Sequence, residues 1–289
     1  MSLEFSILFA FGAMLCWGLG DFLIQKCVRK IGNIESLAYI GIIGIIILTP
    51  LIFMDLKLLN SLSNLLVLLL LGIITFLAAV LDFQALMVGK LSVIEIIFEI
   101  ELPITIVLAF IFFKETFSLI QILLMILIFL GVILMAVESG YFKKHLKSLE
   151  KGVFLGFLSA IGMAFVNFFT AVSSKNVSAL MAVWFPWLIF TIICLFYIIY
   201  KKTFSKFVDN GIKFRWIVLS MGIFDTLAWL FYALAVSQKE LGMVTSITES
   251  YPAIALFLGV YFNKERIEWH QYLGALIALS CSFILGFIL

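Results

Sequence analysis

Long apolar runs follow one another along this chain with little between them. They occupy residues 5–27, 35–54, 64–87, 91–113 and 117–137, then 152–174, 179–200, 215–237, 241–262 and 269–288. Each is close to the length that crosses a hydrocarbon core as a helix, about 20 residues. Inside lipid a backbone has no water to bond to, and a helix satisfies its N–H and C=O groups internally. The runs therefore predict an all-α membrane protein with ten transmembrane helices. Composition agrees: 64% of the 289 residues are hydrophobic and 12% are charged, whereas a soluble domain carries about 25% charged residues. A net charge of +2 offers no basic face to nucleic acid, so the expected surroundings are the lipid bilayer. The segment before the first run, Met1-Ser2-Leu3-Glu4, lacks the basic start of a signal peptide, and the run is too long for an h-region. It is expected to remain as a span.

The breaks between runs carry charged and turn residues, for example Arg29-Lys30-Ile31-Gly32-Asn33, Lys114-Glu115 and the Lys201 to Arg215 stretch. The breaks at Lys90 and Lys239 are the shortest and imply tight helical hairpins. Lys and Arg in loops set orientation. With ten spans, 15 of the 19 basic residues fall in the loops of one side. That side is expected to be cytoplasmic in a multi-pass cell-membrane protein, which would leave both termini, Ser2 and Leu289, outside.

The two halves echo each other. Lys90 and Lys239, like Pro103 and Pro252, are 149 residues apart, and Glu115 and Glu265, like Gln121 and Gln271, are 150 apart. Two units follow, residues 1–140 and 151–289, each with five helices. An odd number of helices makes the second unit enter the membrane from the opposite side, which is an inverted repeat of the kind found in secondary transporters.

Polar residues inside the runs mark the candidate site. Seven acids lie there: Asp21, Asp82, Glu95, Glu99, Glu101, Asp225 and Glu249. A charge at the bilayer centre costs roughly 2.5–3.5 kcal/mol on insertion scales, and almost no basic residue lies at the same depth to pair with these. They are expected to face a polar cavity or to be hydrogen-bonded between helices. Glu99 and Glu101 differ by about 200° around a regular helix, so both cannot point straight into one narrow cavity. Pro103 removes a backbone bond near residue 99, and Pro252 does the same near Thr248 and Glu249; interrupted helices at matching positions point to a substrate site. The central group is read as Glu99, Asp225 and Glu249, with Glu101 as the substitute for Glu99. Trp17, Trp229 and Tyr251 could stack on a flat or cationic substrate, and Asn167 with Thr170 could add hydrogen bonds. Trp184 and Trp187, at the start of their run, read as interfacial anchors. Spans 1, 3, 4, 6, 8 and 9 are expected to line the cavity.

These landmarks resemble the drug/metabolite transporter superfamily in its ten-helix EamA-type branch. The resemblance rests on Trp17-Gly18, on the Pro103…Lys114-Glu115 and Pro252…Lys264-Glu265 elements, and on Ala85 and Ala233 near helix ends. It covers essentially the whole chain. It implies a transporter of small molecules, without fixing which. Lys114 and Lys264 stand where the family usually has Gly, and the spans hold more carboxylates than is usual.

An enzyme is not expected. His145 and His270 are far apart in sequence, and no H-E-x-x-H, G-x-S-x-G or phosphate loop occurs. The four cysteines are isolated, with no C-x-x-C, and read as small apolar fillers. No cofactor or metal is expected. Gly12, Gly72, Gly131, Gly156 and Gly274 read as sites of close helix packing. The Lys-Glu pairs at residues 114–115 and 264–265 read as structural, with each Glu complementing the dipole of the helix that follows it. The expected function is secondary transport of a small polar or amphipathic metabolite, an amino acid or amine, with a possible coupling proton. The alternative is a multidrug exporter of lipophilic cations. The protein is expected as a monomer or homodimer.

Overall fold

The computed structural model describes residues 3–88, 97–136, 150–262 and 268–288. The first half contributes α1 (Leu3–Ile31), α2 (Asn33–Leu48), α3 (Leu62–Val88), α4 (Glu101–Leu108) and α5 (Leu119–Ala136). The second contributes α6 (Glu150–Asn176), α7 (Ala179–Tyr200), α8 (Phe204–Lys213), α9 (Arg215–Gln238), α10 (Leu241–Thr248), α11 (Tyr251–Phe262) and α12 (Trp269–Ile288). There is no strand among the described residues. Six of these helices are long and apolar enough to cross a membrane: α1, α3, α6, α7, α9 and α12. Their outward faces carry large apolar side chains such as Leu66, Phe196 and Phe287, as a lipid-facing surface requires. Glu95, Lys90, Lys264, Glu265 and His145 lie outside the described residues, as do Ser2 and Leu289.

Two sequence boundaries need correction. The run at 35–54 is apolar throughout, yet α2 ends at Leu48 and gives way to turns and a short 3₁₀ segment, Leu56–Asn60. Pro50 explains the stop, because a proline cannot donate into the ladder and its ring crowds the carbonyl four residues before it. The 201–215 stretch, read as a basic loop, contains the amphipathic helix α8. Its Phe207 stacks on Tyr39 of α2 with ring centroids 4.2 Å apart, and Asn210 Nδ2 donates to Glu35 Oε2 at 2.7 Å.

Helix pairing relates the halves. The heaviest contacts join α1 to α9 and α3 to α6, and the last helices of each half, α5 and α12, also pack together. In that last seam a Cβ on Gly131 would stand 2.9 Å from the backbone nitrogen of Ala278 and 2.9 Å from the carbonyl oxygen of Gly274. The close approach needs a residue without a side chain there, as small-residue packing in membranes predicts. Trp184 and Trp187 do not anchor at a lipid interface: they are 9% and 3% exposed, and Trp184 Nε1 donates to Thr49 Oγ1 at 3.0 Å. Pro50 already ends α2 beside them, so this end of α7 is covered by protein.

Candidate functional site

The site is built around two interrupted helices. The chain makes a turn at Glu99–Ile100 before α4 begins at Glu101, and another at Glu249–Ser250 between α10 and α11. Pro103 and Pro252 sit in the first turn of α4 and α11 respectively, where a missing N–H costs nothing but the ring prevents the helix from running back unbroken. At the second break Ser250 Oγ and Ser282 Oγ of α12 are 2.5 Å apart and share a hydrogen bond. Non-helical backbone at membrane depth is tolerated where protein buries it or water reaches it.

A cavity of about 100 Å³ opens beside the breaks. Five carboxylates line it: Asp21 on α1, Asp82 on α3, Glu101 at the start of α4, Asp225 on α9 and Glu249 at the second break. No Lys, Arg or His is among its described lining residues. Asn167 Nδ2 of α6 donates to Glu101 Oε1 at 2.5 Å. Asn167 Oδ1 and Asp82 Oδ1 are buried and have no hydrogen-bond partner among the described residues. An uncompensated polar atom in such a place costs roughly 1–3 kcal/mol, so both oxygens are acceptors available to a donor that enters the cavity. The Trp187 indole N–H is likewise buried without a partner.

Aromatic rings form the other wall. Trp17 meets Trp229 edge-on at 5.1 Å and Tyr251 at 6.4 Å, and Trp229 meets Trp187 at 6.0 Å. Trp17, Trp187, Trp229 and Tyr251 all line the cavity. Ring faces beside carboxylates are the two surfaces that attract an organic cation.

Of the sequence candidates, the structure brings the five carboxylates above together with Trp17, Asn167, Trp229 and Tyr251. Glu99 is apart from them. It is 1% exposed, in the turn before α4, and does not line the cavity. The choice left open between Glu99 and Glu101 falls to Glu101, because the helix starts at that residue and its phase carries the side chain to Asn167. Thr170 is buried and also does not line the cavity. Sequence reasoning passed over Thr75, Ser159 and Trp187, all of which do line it. The signal for Trp187 was its place in a run flanked by Pro186, but position near a span end outweighed it. Helices α2 and α7 contribute too, through Leu37, Ile40 and Phe190, beyond the six spans expected.

A second constellation lies at the hairpin between α4 and α5. After α4 a π-helical turn, Ala109–Phe113, leads to Lys114 in the left-handed conformation at φ 56°. The chain reverses there, and Glu115 is carried away from α5. Its two oxygens accept from Leu241 N at 2.7 Å and Gly242 N at 3.0 Å, at the start of α10. Glu115 therefore complements the dipole of a helix in the other half, not that of the helix following it. Burial pushes the Glu115 carboxyl above its ordinary pKa, against the two N–H groups and Lys175, which pull it down.

Described residues that form an all-helical fold, with two similarly paired halves around one acidic, aromatic cavity, mark a multi-pass membrane protein. It belongs to the EamA-like transporter family: the family model matches twice, at residues 4–137 and 150–287. This is a family of membrane transporters of small molecules. A solved structure titled "Crystal structure of protein" is similar over 98% of both chains, with a TM-score of 0.74 at 12% identity, which speaks for the fold alone. No curated protein matches in sequence.

Proposed function

We propose that this protein is a secondary transporter of a small amine or amino acid, working by alternating access around the acidic cavity. The observation that carries the proposal is five carboxylates lining one cavity with no basic residue among its described lining residues. Such a group repels itself unless a cation or protons enter. A positive headgroup would sit among Asp21, Glu101, Asp225 and Glu249, donate to Asn167 Oδ1, and lay its apolar part on Trp17, Trp229 and Tyr251. Protons and substrate would compete for the same oxygens, which gives a route to proton coupling. The ten spans form two five-helix inverted repeats, residues 1–140 and 151–289, with both termini outside and the protein a monomer or homodimer in the cell membrane.

Size favours this reading over the alternative of a multidrug exporter for lipophilic cations. The aromatic wall would suit such cargo, but pockets for drug-sized ligands run to about 300–1,000 Å³. About 100 Å³ suits a metabolite. The test is uptake or exchange in proteoliposomes over a panel of amines, amino acids and lipophilic cations. Glu249→Gln and Asp225→Asn should weaken transport of the positively charged solutes and flatten its pH dependence. Wild-type rates and pH profile in both variants would make these carboxylates structural and end the proposal.

A further inference from the structure

Resting on that alternating-access reading, we infer that Glu115 is the latch of the gate on the 114–118 side of the membrane. It holds that side shut by capping α10, and its release frees α10 to move with Glu249.

The latch joins the two halves. Glu115 comes from the hairpin of the first, and the N–H groups it accepts, Leu241 and Gly242, begin a helix of the second. That helix has no side-chain cap of its own: Glu240, in the capping position, makes no such bond. The first N–H groups of a helix need a partner when buried, and here the partner is supplied across the halves. Lys175, at the end of α6, adds a third element. Its Nζ lies 3.9 Å from Glu115 Oε1 and 4.5 Å from the centre of the Phe113 ring. Phe117 closes over the same spot, so near that a Cβ on Gly242 would stand 2.8 Å from the ring.

From the latch, α10 runs to the cavity. All eight of its residues are buried, Leu241 through Thr248, and Glu249 follows directly. At 1.5 Å per residue the distance is about 12 Å. Midway, the Tyr232 hydroxyl and Thr245 Oγ1 share a hydrogen bond at 2.8 Å. A short rigid helix held at its start and ending on a cavity carboxylate moves as one piece. The cavity reaches the other way, with Ile24 and Leu86 in its lining, near the α1 and α3 ends opposite the hairpin. On this inference the hairpin side is the closed one; a separate recess of about 430 Å³ lies there, lined by Glu115 and Lys175 with Lys114, Lys239 and Glu240 among others.

A cap that merely stabilises α10 and a latch that sets which side is open predict different accessibilities. Ser246 is buried on α10 between latch and cavity. In a background with Cys16, Cys27, Cys194 and Cys281 replaced by alanine, Ser246→Cys reports opening through labelling by a membrane-impermeant thiol reagent added from either side. Losing one charge-assisted bond should shift the two-state balance about tenfold. Glu115→Gln is therefore expected to raise labelling from the hairpin side about tenfold and to lower it from the other. Gly242→Ala, which pushes the Phe117 ring off α10 and keeps the carboxylate, should shift labelling in the same direction, and it decides the matter if the Glu115 variant is not recovered. Labelling unchanged in both variants, or raised equally from both sides, would overturn the latch. The labelling needs no substrate, so a chain that transports no amine yet still shows the one-sided shift would fail the transport proposal and keep the gate.

Discussion

In the first half the chain turns at Glu99–Ile100 and Pro103 follows; in the second it turns at Glu249–Ser250 and Pro252 follows. At a spacing of 150 residues Glu99 matches Glu249, and Glu101 matches Tyr251. Of these four positions the cavity takes both Glu249 and Tyr251 of the second break, but only Glu101 of the first. Each break therefore supplies one carboxylate, from a different place relative to the turn. Glu101 comes from the first residue of the helix after the break, Glu249 from the turn itself. The two halves share an architecture and differ in what they present, so the site has a polar corner at Glu101–Asn167 and an aromatic corner at Tyr251–Trp17. An asymmetric solute with a charged end and an apolar end fits such a site in one orientation.

The sharpest way to break this comparison is to neutralise the two acids of the first break separately. Glu101→Gln should weaken amine binding about 10- to 100-fold, the worth of a hydrogen bond to a charged group. Glu99→Gln should leave affinity at its wild-type value, because Glu99 does not line the cavity. The reverse ranking, read by equilibrium binding to purified protein, would return the role to Glu99. A smaller effect is expected at the partner of Glu101. Asn167→Leu removes the 2.5 Å bond and the unpartnered oxygen. It should cost about fivefold in affinity, the value of a neutral hydrogen bond, while Thr170→Val, at a buried residue that does not line the cavity, should cost nothing in the same assay. The smallest effect belongs to the prolines. Pro103→Ala and Pro252→Ala each relieve a constraint on the unfolded chain as well as the folded one, so thermal stability should change by about 1 kcal/mol or less. A large loss of stability at one proline and not the other would show that the breaks are held by unlike means.

Much of this architecture is legible in the sequence and some of it is not, for identifiable reasons. The apolar runs mark α1, α3, α6, α7, α9 and α12, because length and composition decide membrane spans. The carboxylates that meet at the cavity stand out as costly charges in apolar runs, Asp21, Asp82 and Asp225 in these and Glu101 and Glu249 in the runs at 91–113 and 241–262. Helix α8 was hidden because Phe204, Phe207, Val208 and Ile212 are scattered among lysines, and its apolar side is one that only a helical periodicity reveals. Glu101 and Glu99 could not be separated in advance, because the phase of α4 depends on where the turn falls. The cap on α10 joins residues 126 apart in sequence, and no local pattern reports a partner at that distance.

The central claim is that the cavity recognises a positive charge beside a ring. The most direct test compares an aromatic amine with a neutral molecule of the same size. Tryptamine and tryptophol share the indole and its ethyl arm and differ only in an ammonium against a hydroxyl, and their binding to purified wild-type protein and to the Glu101→Gln/Glu249→Gln double variant can be measured by competition in a scintillation proximity assay. Tryptamine is expected to bind wild type well ahead of tryptophol and to lose that advantage in the double variant. Equal binding of the two compounds by wild type, or an advantage for tryptamine that survives the loss of both carboxylates, would contradict it.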